Sequence, residues 1–532
     1  MASECFLGLD FGTESVRALI VDRQGRELGS AVESYAHGQI VPGSAPARRM
    51  FPPDLPPHFA LQHPQDWLDG AIKAIREAIS SIDPATVAGI GVDFTSCTML
   101  PCDRAGMPLA AARPDLASRP HAWPKLWKHH GALHACDTIN RIARDMNEPW
   151  LARYGGIVGL EWLFPKMLEV IESDPEVADA AELWIEAGDW LVWQIAGGRG
   201  EPARSTCQAG YKGCWSPLDG YPGRAFLAAC HQGLLEVVDH KLPGRHLAPG
   251  TPAGEVSESF AARTGLRVGV PVSAAIIDAH AGVPGAGVAE EGVLVTVLGT
   301  SGCHMLMAKE ERLIPGVAGI VRDGILPGFV GYETGQAAMG DAFDWARRLV
   351  GAGDFALLDH AARAIAPGSD GLVMLDWLNG CRTPLMDGSL TGVITGLTLH
   401  HTSAHVYRAA LESSAMGLRW IVTILREGRV PVTRFVATGG LPRHNPLFVE
   451  IIASVLGAPV EVHGARHGPA LGAAILGACA AGAFYSVREA VHSMAGAGSA
   501  LPPSRVIFPA PTHRDAYDQL FQRYLHLADT IR

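Results

Sequence analysis

Phe6–Leu19 reads FLGLDFGTESVRAL, and the same plan returns at Val293–Met307 as VLVTVLGTSGCHMLM. In each, an apolar run stops at a Gly-Thr turn and a second apolar run leaves it, which predicts a strand, a tight turn and a strand. Gly12 and Gly299 can adopt backbone angles and close approaches that a side chain forbids. Successive turn amides then point into one concavity. With the hydroxyls of Thr13, Thr300 and Ser301 they form a nest for an anion, and Asp10, at the end of the first strand, is placed to hold a hydrated Mg²⁺. A single such turn reads equally well as an ordinary glycine hairpin. Two copies in matching contexts argue for a cradle that grips a phosphate twice.

After the first copy, His63-Pro-Gln-Asp opens a helix with Trp67, Leu68, Ala71, Ile72, Ile75 and Ile79 at three-to-four spacing. Val87–Val92 follows as a buried strand that runs into Asp93-Phe94-Thr95-Ser96. Ser96 therefore sits at a strand's carboxyl end, where ligands of open α/β sheets bind, with a capped turn as the competing reading. The middle, roughly residues 110–250, is rich in Trp and His, has helical periods over Trp162–Ile171 and Leu183–Ile195, and reads as an insertion that shapes a pocket. Trp127 beside Lys128, and Lys212 in Ala209-Gly-Tyr-Lys-Gly, lie in polar, glycine-bearing segments suited to a hydroxylated ligand. A solvated side chain is the commoner fate of a lysine.

Val270–Ala275 is a further apolar strand, and Asp278 stands where it stops, ahead of a Gly/Ala run that reads as a hinge. A carboxylate there is placed to take a proton from a substrate hydroxyl, with helix N-capping as the competing role. The rest alternates: a helix near Ala404–Leu425, a strand Phe435–Thr438, Gly439-Gly440, a helix Pro446–Leu456, a strand Val460–Val462 and a final Gly-rich helix. That order predicts a largely α/β sheet, with Gly439 and Gly440 leaving the backbone open to a flat base or ribose.

The 532 residues exceed one ordinary core, and 48% hydrophobic content is ample for two large domains. A net charge of −11, with no block of Lys or Arg, removes the electrostatic footprint of a nucleic-acid or anionic-membrane binder and points to a small-molecule partner. Ten cysteines without a Cys-x-x-Cys pair argue against a zinc ribbon or a secreted disulfide framework and for reduced, mostly buried thiols. Met1 is followed almost at once by the first strand, leaving no room for a signal segment, so the cytoplasm is the expected compartment. Ala470–Phe484, weakly polar for 15 residues and broken by three glycines, is too short for a membrane span and reads as a close-packed core helix.

Taken in order, GLDFGTESVRAL, GIGVDFTSCTMLPCD, LWKHH, GLEWLFPK, IEAGDWLVWQIAG, IIDAHAGVPGAG, VLGTSGCHM, GYETGQAAMGD, LDWLNGCRTP and VATGGLPRHNPL resemble the FGGY family of carbohydrate kinases, within the sugar kinase, actin and heat-shock chaperone superfamily, from end to end. LWKHH, GLEW, the segment holding Glu333 and LDWLNG resemble its members that phosphorylate L-ribulose. The resemblance implies an α/β fold of two ribonuclease-H-like domains around a central cleft, residues 1–289 carrying the sugar site and the base and residues 290–532 carrying phosphate and adenosine contacts. It implies ATP and Mg²⁺ as cofactors, and ATP-dependent conversion of L-ribulose to L-ribulose 5-phosphate, a step of L-arabinose catabolism. Asp278 matches the family's catalytic base; Thr13, Arg17, Gly299 and Thr300 match phosphate positions; Gly439, Gly440 and Asn445 match the adenosine segment. Trp127, Lys212 and Glu333, with Ser96, match sugar-pocket positions. His129 stands where some relatives have an acidic residue and Gly302 where others have Thr, which bears on the sugar and not on the reaction. Lys128 beside Trp127 leans toward L-ribulose; D-ribulose, xylulose or a polyol is the nearer alternative, and a nucleotide-driven protein in the manner of actin or a chaperone the more distant one. A homodimer would be compatible with this reading.

Overall fold

The structure, a computed structural model, describes residues 4–531, so Met1 and its bearing on a leader lie outside it. Two seven-stranded sheets form the frame. In the first, strands Glu27–Ser34, Ser15–Asp22, Cys5–Phe11, Val87–Phe94, Pro271–Ser273 and Pro252–Glu255 lie side by side, and Ile276–Ile277 also pairs with Val87–Phe94. In the second the order is Gly319–Arg322, Val330–Gln336, Gly302–Ala308, Val293–Leu298, Arg434–Thr438, Val460–Val462 and Arg505–Ile507.

Both sheets are built on the same kernel. Cys5–Phe11 is antiparallel to its hairpin partner Ser15–Asp22 and parallel to Val87–Phe94; Val293–Leu298 is antiparallel to Gly302–Ala308 and parallel to Arg434–Thr438. The two hairpins expected from the sequence therefore occupy equivalent central places in a duplicated, ribonuclease-H-like plan. Between the strands of the first sheet is inserted a largely helical layer with its own aromatic core, including Trp150, Tyr154, Trp162, Phe164 and Trp184.

The apolar run after Gly468 becomes the helix Gly468–Ala480, and glycines let it sit directly on backbone. A Cβ on Gly8 would come 1.9 Å from the Ala470 carbonyl oxygen, one on Gly91 1.8 Å from that of Ala473, and one on Gly472 1.9 Å from that of Ala281. The same helix thus touches the first sheet and the helix Asp278–Gly285 at once, while its sequence neighbours belong to the second sheet. Gly472→Ala sets a helix-propensity gain of up to about 1 kcal/mol against an overlap with backbone, which costs about 1–3 kcal/mol or more. The clash wins, and a thermal melt is expected to show a lower Tm.

Two expectations need correction. Leu183–Ile195 divides into a buried strand, Leu183–Glu186, and a helix, Ala187–Ile195, because the whole stretch is buried and carries no amphipathic period to tell the two apart. The Gly-rich helix is followed by two more, Val487–Met494 and the amphipathic Arg514–Ile531.

Candidate active site

Strand register brings the carboxylates together. Asp10 lies opposite Asp93 in the parallel pair, and Ile276 and Ile277 pair with Asp93 and Phe94, so Asp278 follows at the next position. Three acids thus crowd the carboxyl ends of adjacent strands. Asp10 is balanced by Arg17, opposite it in the hairpin, at 2.9 Å. Asp93 is fully buried against Asp10, and among the described residues neither of its oxygens finds a donor. Burial first, then the charges of Asp10 and Asp278, push its carboxyl well above the ordinary range. Burial likewise raises Asp278 to about 7, with Asp10 and Glu333 adding to it and the Ala279 amide, 2.7 Å from Oδ1, opposing. Asp278 is the first residue of its helix with Ile277 at the cap, so the N-capping reading does not apply. An orphaned buried carboxylate beside Asp10 suits a hard divalent cation, so Asp10 and Asp93 fit Mg²⁺.

Beyond Asp278 lies a charged pair. Lys212, at the end of the helix Thr206–Lys212, donates from Nζ to both oxygens of Glu333 at 2.8 and 2.9 Å, and both residues are buried. The solvated-lysine reading is therefore overturned. Burial alone would raise Glu333, but Lys212 above all, then His280 and Arg382, overcome it and hold the carboxyl down at about 2. His280 lies 3.5 Å from Glu333 and packs on the Tyr211 ring. Trp127 is 41% exposed, and its indole N–H donates to Thr13 Oγ1 at 3.1 Å, tying its loop to the first glycine turn. Gln62 holds the same turn from beneath through the Thr13 carbonyl at 2.7 Å. Ser96 is half-buried in the turn that follows Val87–Phe94.

The two glycine turns are closed alike: the Gly12 amide donates to the Ser15 carbonyl at 3.0 Å and the Gly299 amide to that of Ser301 at 3.0 Å. The space over both is open, since a Cβ would meet only Ser15 O at 3.4 Å and Ser301 O at 3.8 Å respectively. Thr300 is exposed, and its carbonyl accepts from Met339, at the start of the helix Gly340–Leu349. Gly439, at φ +98°, abuts the Leu298 backbone, and Gly440 is exposed beside it. Asn445 is buried: it caps the helix Pro446–Leu456 by accepting the Phe448 amide, and its amide donates to Asp359 and Tyr407 at 3.0 Å each. It braces the Gly439 segment from within.

Asp93, Gln62, His280 and Arg382 were not singled out from the sequence. Asp93 had a signal, a carboxylate at the end of a strand like that of Asp10, but its pairing with that strand was needed to see it. Both departures from relatives lie in packed surroundings. A Cβ on Gly302 would fall 2.7 Å from Met339 Cε, the end of a flexible side chain that would have to shift. His129 is buried against Glu169 at 2.8 Å, with Lys125 at 3.0 Å from the same carboxylate.

Known proteins resemble this chain in sequence and in fold. Residues 294–481 match the C-terminal domain of the FGGY family of carbohydrate kinases. The chain is 41% identical to a ribulokinase from Shouchella clausii over 98% of its length and 94% of that protein, and 39% identical to one from Geobacillus thermodenitrificans over 99% and 95%. Its fold is that of a xylulose kinase from Rhodospirillum rubrum, with a TM-score of 0.81 at 24% identity and 99% coverage of both chains. A Plasmodium falciparum glycerol kinase solved with ADP gives a TM-score of 0.79 at 15% identity, covering 99% of this chain and 98% of that one.

Proposed function

The chain belongs to the FGGY family of carbohydrate kinases, and from that premise we propose that it transfers the γ-phosphoryl group of ATP to the terminal hydroxyl of L-ribulose, giving L-ribulose 5-phosphate and ADP. Relatives named ribulokinase, aligned over nearly the whole chain, support the sugar. The observation that carries the chemistry is a half-buried Asp278, raised to about 7, close enough to Asp10 and to Glu333 of the Lys212–Glu333 pair to feel both charges.

Asp278 takes the proton of the sugar's terminal hydroxyl as that oxygen bonds to the γ-phosphorus and the bond to the ADP oxygen breaks. The turns at Gly12–Thr13 and Gly299–Ser301 donate hydrogen bonds to the phosphate oxygens as charge moves toward ADP. Arg17 offers its guanidinium, and Gly439, Gly440 and Asn445 form the adenosine wall. Mg²⁺, held by Asp10 and Asp93, supplies charge neutralisation when bound. Lys212 and Glu333 hydrogen-bond the sugar's inner hydroxyls, with Trp127 and Ser96 at the mouth. Closure of residues 1–289 on residues 290–532 around the glycine-seated helix excludes water. The cytoplasm is the proposed site of action; a homodimer would be compatible with this arrangement.

The base must be ionised to work. Activity is therefore expected to rise with pH through a limb near 7, where Asp278 loses its proton, and to fall below it. A rate profile that is flat from pH 5 to 8 would contradict the assignment. Phosphorus–proton correlation spectra of the product test the position of transfer: coupling to the terminal methylene is expected, and coupling to any other carbon overturns it.

A further inference from the structure

Near Lys212 stand two buried polar side chains with atoms that find no hydrogen-bond partner among the described residues. Gln208 lies one helical turn before Lys212, on the same face. It is 1% exposed, and neither its amide nitrogen nor its amide oxygen has a hydrogen bond. Room for it is made by Gly188, where a Cβ would fall 2.3 Å from Gln208 Nε2 and 3.2 Å from Ala275 and Phe94, so the amide is lodged against the strand ends that lead to Asp278. Glu186, at the end of the strand Leu183–Glu186, is 4% exposed with Oε1 unpartnered. It stands at the cap position of the helix Ala187–Ile195 but makes no capping bond. Burial raises its carboxyl to about 7, against the opposing charges of Lys166, Arg204 and Lys212 and a hydrogen bond from the Cys97 thiol. Lys166 gives it no ion pair, because its ammonium is spent on the carbonyls of Cys97 and Leu126 at 2.7 and 2.8 Å.

Native interiors rarely leave buried polar atoms unmet, so these call for a partner, and a hydrogen-bonding ligand supplies one. An amide that both donates and accepts, packed on a glycine two residues after a carboxyl that can do either, suits a carbonyl flanked by a hydroxyl. We propose that Gln208 and Glu186 are specificity-determining residues that hydrogen-bond the C1–C2 end of the ketose, the end opposite the hydroxyl presented to Asp278. This rests on the ketopentose reading above. It makes the enzyme select for a 2-keto, 1-hydroxy terminus, with the Lys212–Glu333 pair midway along the sugar.

The test is a cycle of protein and substrate changes, measuring kcat/KM for L-ribulose and 1-deoxy-L-ribulose with the wild type, Gln208→Leu and Glu186→Gln. Each substitution, and the deletion of the hydroxyl, is expected to lower kcat/KM by about 10- to 100-fold, because each leaves buried polar groups unpaired. Combining a substitution with the deoxy sugar should add little, since the same contact is already lost. Losses that multiply, or variants as active as the wild type on L-ribulose, overturn the proposal. ATP affinity by calorimetry should be unchanged, and the near-isosteric Glu186→Gln carries the cycle if Gln208→Leu does not fold. If the wild type ignores L-ribulose and turns over another ketose, the substrate reading fails separately, and the cycle is run on that ketose and its 1-deoxy form.

Discussion

Asp278→Asn is expected to lower kcat by about 10²–10⁴-fold, the share that a positioned base contributes, with ATP affinity unchanged. The substitution keeps the shape and the acceptor for the Ala279 amide, removing only the ability to take a proton. Its effect on stability should run the other way. The folded-state pKa is raised from the ordinary carboxylate value of 3.8 to about 7. The protonated form is thus favoured by folding, and its stabilising contribution is complete below about 3.9 and lost as pH rises through about 7. Above that range the wild type holds a poorly solvated charge near Asp10 and Glu333, and the Asn variant does not. A Tm for the variant equal to or above that of the wild type at pH 8, together with the activity loss, separates chemistry from folding. A variant with full activity would remove Asp278 from the mechanism.

The second large effect is expected at the Lys212–Glu333 pair. Both members are buried, and they share two hydrogen bonds of 2.8 and 2.9 Å. Lys212→Met leaves the Glu333 carboxylate uncompensated in the interior, which costs about 3–5 kcal/mol. His280 and Arg382 supply only part of the missing positive charge, since Lys212 is the largest influence holding Glu333 down. Chemical denaturation should show that loss. Combining Lys212→Met with Glu333→Leu removes both charges and should recover most of the stability, because an apolar pair of similar volume is often neutral or better. Sugar turnover should not return in the double variant. Recovery of both would make the pair structural and exclude it from substrate binding.

Much of the frame was legible in the sequence because it is written locally. A glycine turn after an apolar strand needs no partner to be recognised, so both hairpins stood out, as did the Gly439-Gly440 turn between a strand and a helix. Asp278 could be placed at a strand end for the same reason. What depends on distant pairing was not legible. Lys212 and Glu333 are 121 positions apart, and nothing near either shows that each neutralises the other. Asp93 becomes an orphaned carboxylate only when its strand lies in register beside that of Asp10. The stretch Leu183–Ile195 is buried on all sides, so its division into strand and helix left no period to read. The glycines of Gly468–Ala480 looked like breaks in an apolar run, whereas Gly472 and Gly477 admit neighbouring backbone at distances no side chain tolerates.

The most direct measurement is ADP formation from Mg-ATP with L-ribulose, D-ribulose, D-xylulose, L-xylulose and glycerol, each beside a sugar-free control and the Asp278→Asn variant. The account predicts strong turnover with L-ribulose, little in the sugar-free control because closure follows the sugar, and none above background in the variant. Tight ATP binding without turnover on any sugar, or ADP release that does not depend on sugar, would contradict it.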